Sequence, residues 1–336
     1  MTGPVGHLVV GPSSHGVARY AESVHEAMTN EGSDSRIARS RAPIVGVPSA
    51  LARSALVHIH VTDRLFGPNP SEARDNVLAV INGLGRPVSV TLHDLPQPSD
   101  GTAMVRRVEF YRAIARASRG VIVSSRHEAA LFTEYVDATI DVEVVPLMIE
   151  DVRVEKHYRS DELTVGVLGY LYPGKGHLET LSALSDLDPA IGFLALGAPS
   201  PGHDHLADEL SKMAADMGRR CEITGFLPDR ELRRRSAEVA VPVAYHRHMS
   251  ASGSINSWIS AGRRPLVPRT TYTEELDERS PGVVTIHPND DAALRVAIES
   301  SVANPASTWI DSSVRPSPSR AEVAAAYDRL LRRWSA

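Results

Sequence analysis

The chain has 336 residues, is 42% hydrophobic and 5% aromatic, and carries a formal net charge of -5; this excludes a disordered or fibrous protein and gives no general sign of a nucleic-acid partner. Its single cysteine, Cys221, excludes an intramolecular disulfide and a metal site built only from cysteines. The sequence shows neither a signal-peptide pattern nor an apolar run of roughly 18 residues, so we expect a cytoplasmic protein.

The first half of the chain alternates apolar strand patterns with turns and helical patterns. It begins with a strand at His7 to Val10, a turn at Gly11 to Gly16 and a helix at Val17 to Met28. This order is typical of the start of a doubly wound α/β domain, with a parallel sheet covered by helices on both faces. The further strands predicted in this half are Ala55 to Val61, Val88 to Leu92, Gly120 to Val123 and Val142 to Val145.

The second half repeats this alternation, so we predict two Rossmann-like domains, at residues 1–150 and 151–318, and a C-terminal helix at 319–336 that packs back on them. The charged stretch from Met148 to Asp161 is the expected linker. It would leave a cleft between the carboxyl ends of the two sheets, where ligands bind in such folds. The predicted strands of this half are Leu163 to Leu168, Ile191 to Leu196, Glu222 to Thr224, Val239 to Val243, Pro265 to Val267 and Val283 to Ile286.

A glycine-rich turn follows the first strand of the second half. The segment Gly166 to Gly176 ends in Pro-Gly-Lys-Gly, and a helical pattern runs from Lys175 to about Asp186. Free N–H groups at a helix N-terminus, together with a lysine, form a good phosphate site. The residues alone leave two interpretations open: a phosphate site with Lys175 as its cation, or a tight turn with a solvated lysine.

Eight short motifs occur in one order along nearly the whole chain. Together they resemble the GT-B glycosyltransferases, in particular the retaining family 4 group. The resemblance implies two Rossmann-like domains facing across a cleft, and transfer of a hexose from a UDP- or GDP-sugar to an acceptor hydroxyl with retention of configuration. The motifs are Gly11 to Tyr20, Val57 to His60, Val88 to Asp94, Ala117 to Ser124, Val144 to Pro146, Gly169 to Gly176, Ile223 to Leu227 and Ser252 to Val267.

The resemblance also implies roles for individual residues. His93 would face the donor sugar with Asp94 orienting it, and Lys175 would stabilise the leaving diphosphate; alternatively, His93 and Asp94 only bond their own loop. No metal and no cofactor besides the donor are implied, and the acceptor would be a sugar, a small molecule or a lipid-linked group. The implied donor-binding residues are Gly16, Tyr170, Lys175, Gly225, Phe226, Leu227, Ser252, Gly253, Ser254, Ile255 and Asn256.

The sequence departs from the family pattern in two places. Tyr170 stands where the family has an arginine, and Met249 and Ser257 stand where it has a pair of glutamates. Arginine grips a diphosphate with two parallel hydrogen bonds and tyrosine does not. An active glycosyltransferase, a catalytically silent nucleotide-binding or scaffolding subunit, and a sugar-nucleotide epimerase therefore all remain open. The candidate replacements for the missing arginine are Arg247, Arg263 and Arg264.

Other basic residues permit more than one interpretation. His58 and His60 share one face of a strand and are expected to be buried and hydrogen-bonded. The clusters 203–205 and 246–248 contain histidine pairs, which we interpret as exposed loops rather than metal sites. Arginines in 104–119 would form either a basic surface for peripheral membrane contact or a solvated helix face; these are Arg106, Arg107, Arg112, Arg116 and Arg119. Trp258 and Trp334 are expected to be packing residues.

Overall fold

The computed structural model describes residues 3–40, 48–150, 152–153, 163–246 and 249–336. The chain divides into two compact units. Unit 1 comprises Met1–Met148 together with Pro318–Ala336, and unit 2 comprises Ile149–Ser317. Most of the predicted linker lies outside the described residues.

Unit 1 is built on a parallel sheet of six strands in the order β2-β1-β3-β4-β5-β6. Strands β1, β3 and β4 are buried along their whole length, as apolar strands covered by helices on both faces must be. The strands are β1 (Val5–Val10), β2 (Ser35–Ser40), β3 (Leu56–Val61), β4 (Val88–Leu92), β5 (Gly120–Val123) and β6 (Val142–Val144). The helices are α1 (Gly16–Asn30), α2 (Asp63–Phe66), α3 (Pro70–Leu84), α4 (Met104–Ala117) and α5 (Arg126–Leu131).

Unit 2 has a second parallel sheet of six strands, in the order β12-β11-β10-β7-β8-β9. Its strands are β7 (Thr164–Leu168), β8 (Gly192–Leu196), β9 (Cys221–Ile223), β10 (Val241–Val243), β11 (Leu266–Pro268) and β12 (Thr285–His287). Its helices are α6 (His177–Ser182), α7 (His205–Asp216), α8 (Asp229–Glu238), α9 (Gly253–Ser260), α10 (Thr271–Arg279) and α11 (Asp291–Ala303). The predicted α/β class with two Rossmann-like domains is confirmed.

The predicted C-terminal helix is present as α12 (Arg320–Ser335), and it belongs to unit 1. A capping box between Ser319 and Glu322 fixes its start. Its apolar face joins a buried cluster with residues of α1, and the hydroxyl of Tyr327 lies 2.9 Å from Oγ1 of Thr91 on β4. The helix therefore completes the core of the first unit.

Both sheets are parallel, so the loops that follow their strands gather at one edge of each sheet. In unit 1 this edge includes His93 and Asp94 after β4, and in unit 2 it includes Gly169 to Lys175 after β7. In the part of the chain that the structure describes, no helix is long and apolar enough to cross a membrane.

Candidate functional site

Lys175 is buried in the turn between β7 and α6, with 6% of its surface exposed. Its ammonium donates to Oγ of Ser254 at 2.8 Å. Two glycines make room for this arrangement, since a Cβ on Gly169 would lie 2.8 Å from Cε of Lys175 and one on Gly176 would lie 2.3 Å from the carbonyl oxygen of Tyr245. Both glycines have positive φ, at 118° and 95°, so glycine is needed for conformation as well as for space. The helical pattern predicted from Lys175 to Asp186 forms a helix only over His177–Ser182.

Lys175 lies near two buried histidines, His177 and His246, and no acid among the described residues forms an ion pair with it. Burial lowers the pKa of Lys175 to about 7, and within the described residues it forms no ion pair. Burial, with a smaller effect of Lys175, also lowers the pKa of His177 to about 3. The pKa of His246 falls well below its usual range through burial, followed by the charges of Lys175 and His177. An anion bound here would stabilise the charged form of the lysine.

The N-terminus of α9 lies beside Lys175 through Ser254. Ser252 is the N-cap and accepts from the N–H of Ile255 at 3.3 Å, while its Oγ lies 3.1 Å from Oγ of Ser254. In the described structure the N–H groups of Gly253 and Ser254 have no acceptor, as expected for the first positions of a helix. A buried ammonium, a hydroxyl and two unpaired amides therefore meet at one point, a combination suited to a phosphate.

The nearby loops carry exposed aromatic rings. Tyr170 follows β7 and is 39% exposed, and Phe226 follows β9 and is 57% exposed. The loops after β8 and β9 are tied together, because the N–H of Gly197 donates to Oγ1 of Thr224 at 3.1 Å. Of the other predicted donor-binding residues, Gly225 lies in this loop with φ 69°, Leu227 packs partly on the core, and Asn256 and Ile255 are buried in α9.

Arg263 cannot replace the missing arginine of the family pattern. Its side chain is fully buried, and its guanidinium donates to the carbonyl oxygens of Ser236 and Val239 at 2.7 and 2.6 Å. It also donates to Oγ1 of Thr308 at 2.8 Å, so its donors bond the protein itself. Arg264 donates from Nε to the carbonyl oxygen of Val284 at 3.0 Å. Arg247 lies outside the described residues.

The two positions that carry glutamates in the family also have structural uses here. The side chain of Met249 is buried in an apolar cluster with Trp258 and Ile255. Oγ of Ser257 donates to the carbonyl oxygen of Gly253 at 2.8 Å, within its own helix. Neither side chain provides a carboxylate for sugar hydroxyls, so recognition of a sugar at this point would need other groups.

In unit 1, His93 directly follows β4 and is buried, with 7% of its surface exposed. Nε2 of His93 lies 3.0 Å from Nδ1 of His60. Burial lowers the pKa of His93 to about 4, although the nearby carboxylate of Asp94 opposes the shift. The ring is therefore neutral at physiological pH, and its hydrogen-bond partner is His60 rather than Asp94.

Asp94 has a strained backbone, with φ 54°, and it is the only non-glycine residue with positive φ in the described part of the chain. The hydroxyl of Tyr111 donates to the carbonyl oxygens of His93 and Asp94, at 2.5 and 3.0 Å. The carboxylate of Asp94 accepts from Oγ1 of Thr62 at 3.3 Å. Among the described residues no hydrogen bond joins the Asp94 carboxylate to the His93 ring, and the two interact electrostatically. The orienting role of Asp94 stays a prediction.

The remaining histidine predictions had mixed outcomes. His58 is buried as expected, with Nδ1 and Nε2 each 2.9 Å from the hydroxyls of Ser89 and Thr91. His60 is also buried as expected, but only Nδ1 has a partner among the described residues. The prediction that His246 lies in an exposed loop was wrong, because it is buried in the basic surroundings of Lys175.

Gly16 is the first residue of α1, and Nδ1 of the N-cap His15 accepts from the N–H of Val17 at 3.2 Å. Among the described residues, no group of three or more His, Cys, Asp or Glu is placed to bind a metal ion. Trp258 is fully buried, and the ring of Trp334 packs directly over Gly120, as expected of packing residues.

Three of the five arginines in 104–119 are bonded within unit 1, so they do not form a free basic surface. Arg107 pairs with Asp100 at 2.7 Å and with Asp63 at 3.2 Å. Arg112 donates to the carbonyl oxygen of Val136, and Arg116 pairs with Asp137. These contacts therefore give no support to the predicted basic surface for peripheral membrane contact.

Comparison with solved structures identifies the fold. No protein-family model and no curated protein matches the sequence. HepE from Anabaena, solved with UDP and glucose, superposes with a TM-score of 0.68 at 14% identity, over 98% of this chain and 95% of that one. Sucrose-phosphate synthase from Thermosynechococcus elongatus gives 0.65 at 15% identity, over 99% and 96%. The fold is that of the GT-B glycosyltransferases. A glycosyltransferase from Rickettsia africae gives 0.63 at 12% identity, over 98% and 93%.

Proposed function

We propose that this protein is a retaining glycosyltransferase that takes a hexose from a UDP- or GDP-sugar and transfers it to a hydroxyl of an acceptor. The observation that carries the proposal is the buried Lys175, which has a single hydroxyl partner and lies beside the unpaired N–H groups of Gly253 and Ser254. A buried cation without an acid, at the open end of a helix, favours a ligand with several negative charges, such as a diphosphate.

The structural neighbours support this choice of donor. HepE has been solved with UDP and glucose and also with UDP-glucose, and its fold matches this chain over nearly its whole length. A trehalose-phosphate synthase with the same fold is named as UDP-forming and was solved with glucose-6-phosphate. We therefore favour UDP over GDP, and a sugar as the acceptor.

Catalysis would depend on stabilising the charge that builds on the diphosphate while the sugar becomes cation-like. Lys175 and the amides of Gly253 and Ser254 would bind that charge, in a site where they are already in place and need little reorganisation. In unit 1, His93 would contact a sugar oxygen through Nδ1, because Nε2 is bonded to His60. We do not assign a metal or a cofactor besides the donor.

A second candidate is a subunit that binds a nucleotide without turnover. It is favoured by the loss of both carboxylates, since Met249 is part of the apolar core and Ser257 bonds its own helix. Both candidates predict nucleotide binding at Lys175. Only the first predicts release of UDP from a UDP-sugar when an acceptor is present.

The test is thermal melting of the whole chain with UDP, GDP or ADP, for the native protein and for Lys175→Met. A nucleotide at about 100 times its Kd adds about 2.7 kcal/mol, which raises the Tm by about 4 °C if the whole chain melts together and by about 8 °C if unit 2 melts alone. We expect UDP to give the largest shift and Lys175→Met to abolish it. The matched control is Lys212→Met, because Lys212 is an exposed lysine on α7. Absence of a shift with every nucleotide would refute both candidates.

A turnover assay then separates the two candidates. UDP-glucose and other UDP-sugars are incubated with a panel of sugar and sugar-phosphate acceptors, and free UDP is measured. Acceptor-dependent release of UDP, absent in Lys175→Met, supports the transferase. Binding of UDP with no release across the panel supports the silent subunit.

A further inference from the structure

A hydrogen bond joins the buried imidazoles of His60 and His93, and it also restricts which ring nitrogens carry protons. Nδ1 of His60 lies 3.0 Å from Nε2 of His93. Burial is the main cause that lowers the pKa of both rings, to about 4 for His93 and well below the usual range for His60. Both rings are therefore neutral at pH 7, and one of the two facing nitrogens carries the single proton of the bond.

Two tautomer pairs satisfy this bond, and they differ in what happens to Nε2 of His60. That nitrogen is buried and has no partner among the described residues. If His93 donated, His60 would carry its own proton on Nε2, leaving a buried N–H donor without an acceptor. If His60 donates, Nε2 is an unprotonated acceptor without a donor. An orphaned buried N–H is the rarer and more costly of the two.

The rings around His60 offer it no alternative partner. Tyr327 stacks on it with ring centroids 5.9 Å apart, and His58 meets it edge-on at 5.0 Å. Both nitrogens of His58 are already bonded, to Ser89 and Thr91. Tyr20 also meets the ring edge-on, at 5.6 Å. The packing thus fixes the orientation of the ring and leaves Nδ1 as its bonded atom.

We propose that His60 is a positioning residue that sets the tautomer of His93: the Nδ1–H of His60 donates to Nε2 of His93, so His93 carries its own proton on Nδ1. His93 then serves as a hydrogen-bond donor to a sugar oxygen and cannot act as a base through that atom. The catalytic consequence rests on the proposed function, whereas the tautomer itself does not.

The tautomer can be measured directly in the native chain. With histidine labelled with ¹⁵N, long-range proton–nitrogen correlation spectra at pH 7.5 distinguish protonated from unprotonated ring nitrogens. Signals of the two rings are assigned by their loss in His93→Gln and His60→Asn. We expect an unprotonated Nε2 and a protonated Nδ1 on His93. A protonated Nε2 on His93 would overturn the proposal, whatever the activity of the protein.

Variants of His60 test the functional consequence. In His60→Asn the side-chain amide nitrogen is a donor, and it is separated from Cα by the same number of bonds as Nδ1 of histidine. His60→Leu has no donor. We expect His60→Leu to mix the two tautomers and to lower kcat about 10-fold, the value of one hydrogen bond, with the Kd for UDP unchanged. His60→Asn should restore the tautomer and most of kcat. His25→Asn, which alters a half-buried histidine without a bond to His93, is the control.

The outcomes separate this inference from the proposed function. If His60→Asn loses as much kcat as His60→Leu while both bind UDP normally, His60 acts only through packing and the inference fails. If no UDP-sugar is turned over, the proposed function fails, and the spectra of the native chain still decide the tautomer. If His60→Leu does not fold, the native spectra and His60→Asn give the answer.

Discussion

Arg263 and Lys175 are two of the cations buried in unit 2, and the protein surrounds these two in opposite ways. The guanidinium of Arg263 donates to four backbone carbonyl oxygens, those of Ser236, Val239, Ala240 and Thr308, and its Cζ lies 4.1 Å from the centroid of the Trp309 ring. The ammonium of Lys175 has one hydroxyl, on Ser254, as its hydrogen-bond partner. Arg263 is complete without a ligand, whereas Lys175 is not.

The contrast shows how to distinguish a structural cation from a binding cation. Arginine has five donors in a fixed plane, and here they connect α8, the two residues between α8 and β10, and the segment around Thr308. An ammonium has three donors, and two of those on Lys175 have no acceptor in the described structure. We therefore interpret Arg263 as a structural cation, whereas the proposed function makes Lys175 a ligand-binding one. Four experiments test this distinction.

The largest effect is expected from Arg263→Met. The substitution leaves several buried carbonyl oxygens without a donor, so we expect a loss of about 3 to 5 kcal/mol in the free energy of unfolding. Urea unfolding followed by the fluorescence of Trp258 and Trp309, both in unit 2, would measure it. Arg263→Lys should lose most of the same stability, since a lysine lacks the planar fork. A loss under about 1 kcal/mol would contradict a structural role.

Lys175→Met should change the free energy of unfolding in the opposite direction, toward greater stability. Burial lowers the pKa of Lys175 from 10.5 to about 7, so the unfolded chain binds this proton more tightly and the lysine opposes folding at pH 7. Removing it should raise the free energy of unfolding without ligand, by up to about 4 kcal/mol. The same urea titration measures the change, with Lys212→Met as the neutral control. A destabilisation comparable with that of Arg263→Met would remove the distinction.

Proton uptake on binding gives a finer test. A bound diphosphate favours the charged ammonium and raises the pKa of Lys175 above its free value of about 7. Affinity for UDP should therefore be highest below pH 7 and fall, by up to about 10-fold per pH unit, as pH rises above 7.

At pH 8 the binding of UDP should take up close to one proton, because Lys175 is mostly neutral in the free protein at that pH. Calorimetry in buffers of different ionisation enthalpy measures the uptake. The phosphates of UDP are fully ionised at this pH, so they do not contribute. An uptake near zero, with intact affinity, would mean that Lys175 is already charged in the free protein.

The smallest effect is expected for Ser254→Ala. Its hydroxyl accepts the hydrogen bond of Lys175, so its loss should lower UDP affinity by about 3- to 10-fold, equivalent to one hydrogen bond. Isothermal calorimetry measures this. Ser211→Ala on α7 removes a helix hydroxyl that bonds only the carbonyl oxygen of Ala207, and it should bind UDP like the native protein. Equal affinity in both variants would place Ser254 outside the site.

The sequence predicted most of the sheet, and its omissions have physical causes. Eleven of the twelve strands in the described part of the chain were predicted, with ends shifted by a few residues. The exception is β2, Ser35–Ser40, a largely polar edge strand with two arginines and only Ile37 and Ala38 as apolar residues. Edge strands are often charged to prevent further pairing, which removes the apolar alternation that makes a strand predictable. The helix from Lys175 was overestimated because Leu184 continues the apolar spacing beyond its end at Ser182.

The candidate site was predictable as parts rather than as a whole. The sequence indicated Lys175 and the start of α9 separately, but their contact joins residues 79 positions apart, a distance that no local pattern reports. It also proposed Arg263 for a ligand, since charge is visible in a sequence and burial among carbonyl oxygens is not. His177 carried no motif, and its burial two residues beyond Lys175 emerged only from the fold.

The place of α12 has a consequence for biosynthesis. The core of unit 1 needs Tyr327 and the apolar face of α12, which are translated after all 169 residues of unit 2, Ile149 to Ser317. At a synthesis rate of about 5 to 20 residues per second, unit 1 remains without its last helix, with an apolar face exposed, for on the order of 10 to 30 s. Unit 2 is contiguous in the chain and can finish folding first, which reverses the usual order in which the N-terminal domain matures before its successor.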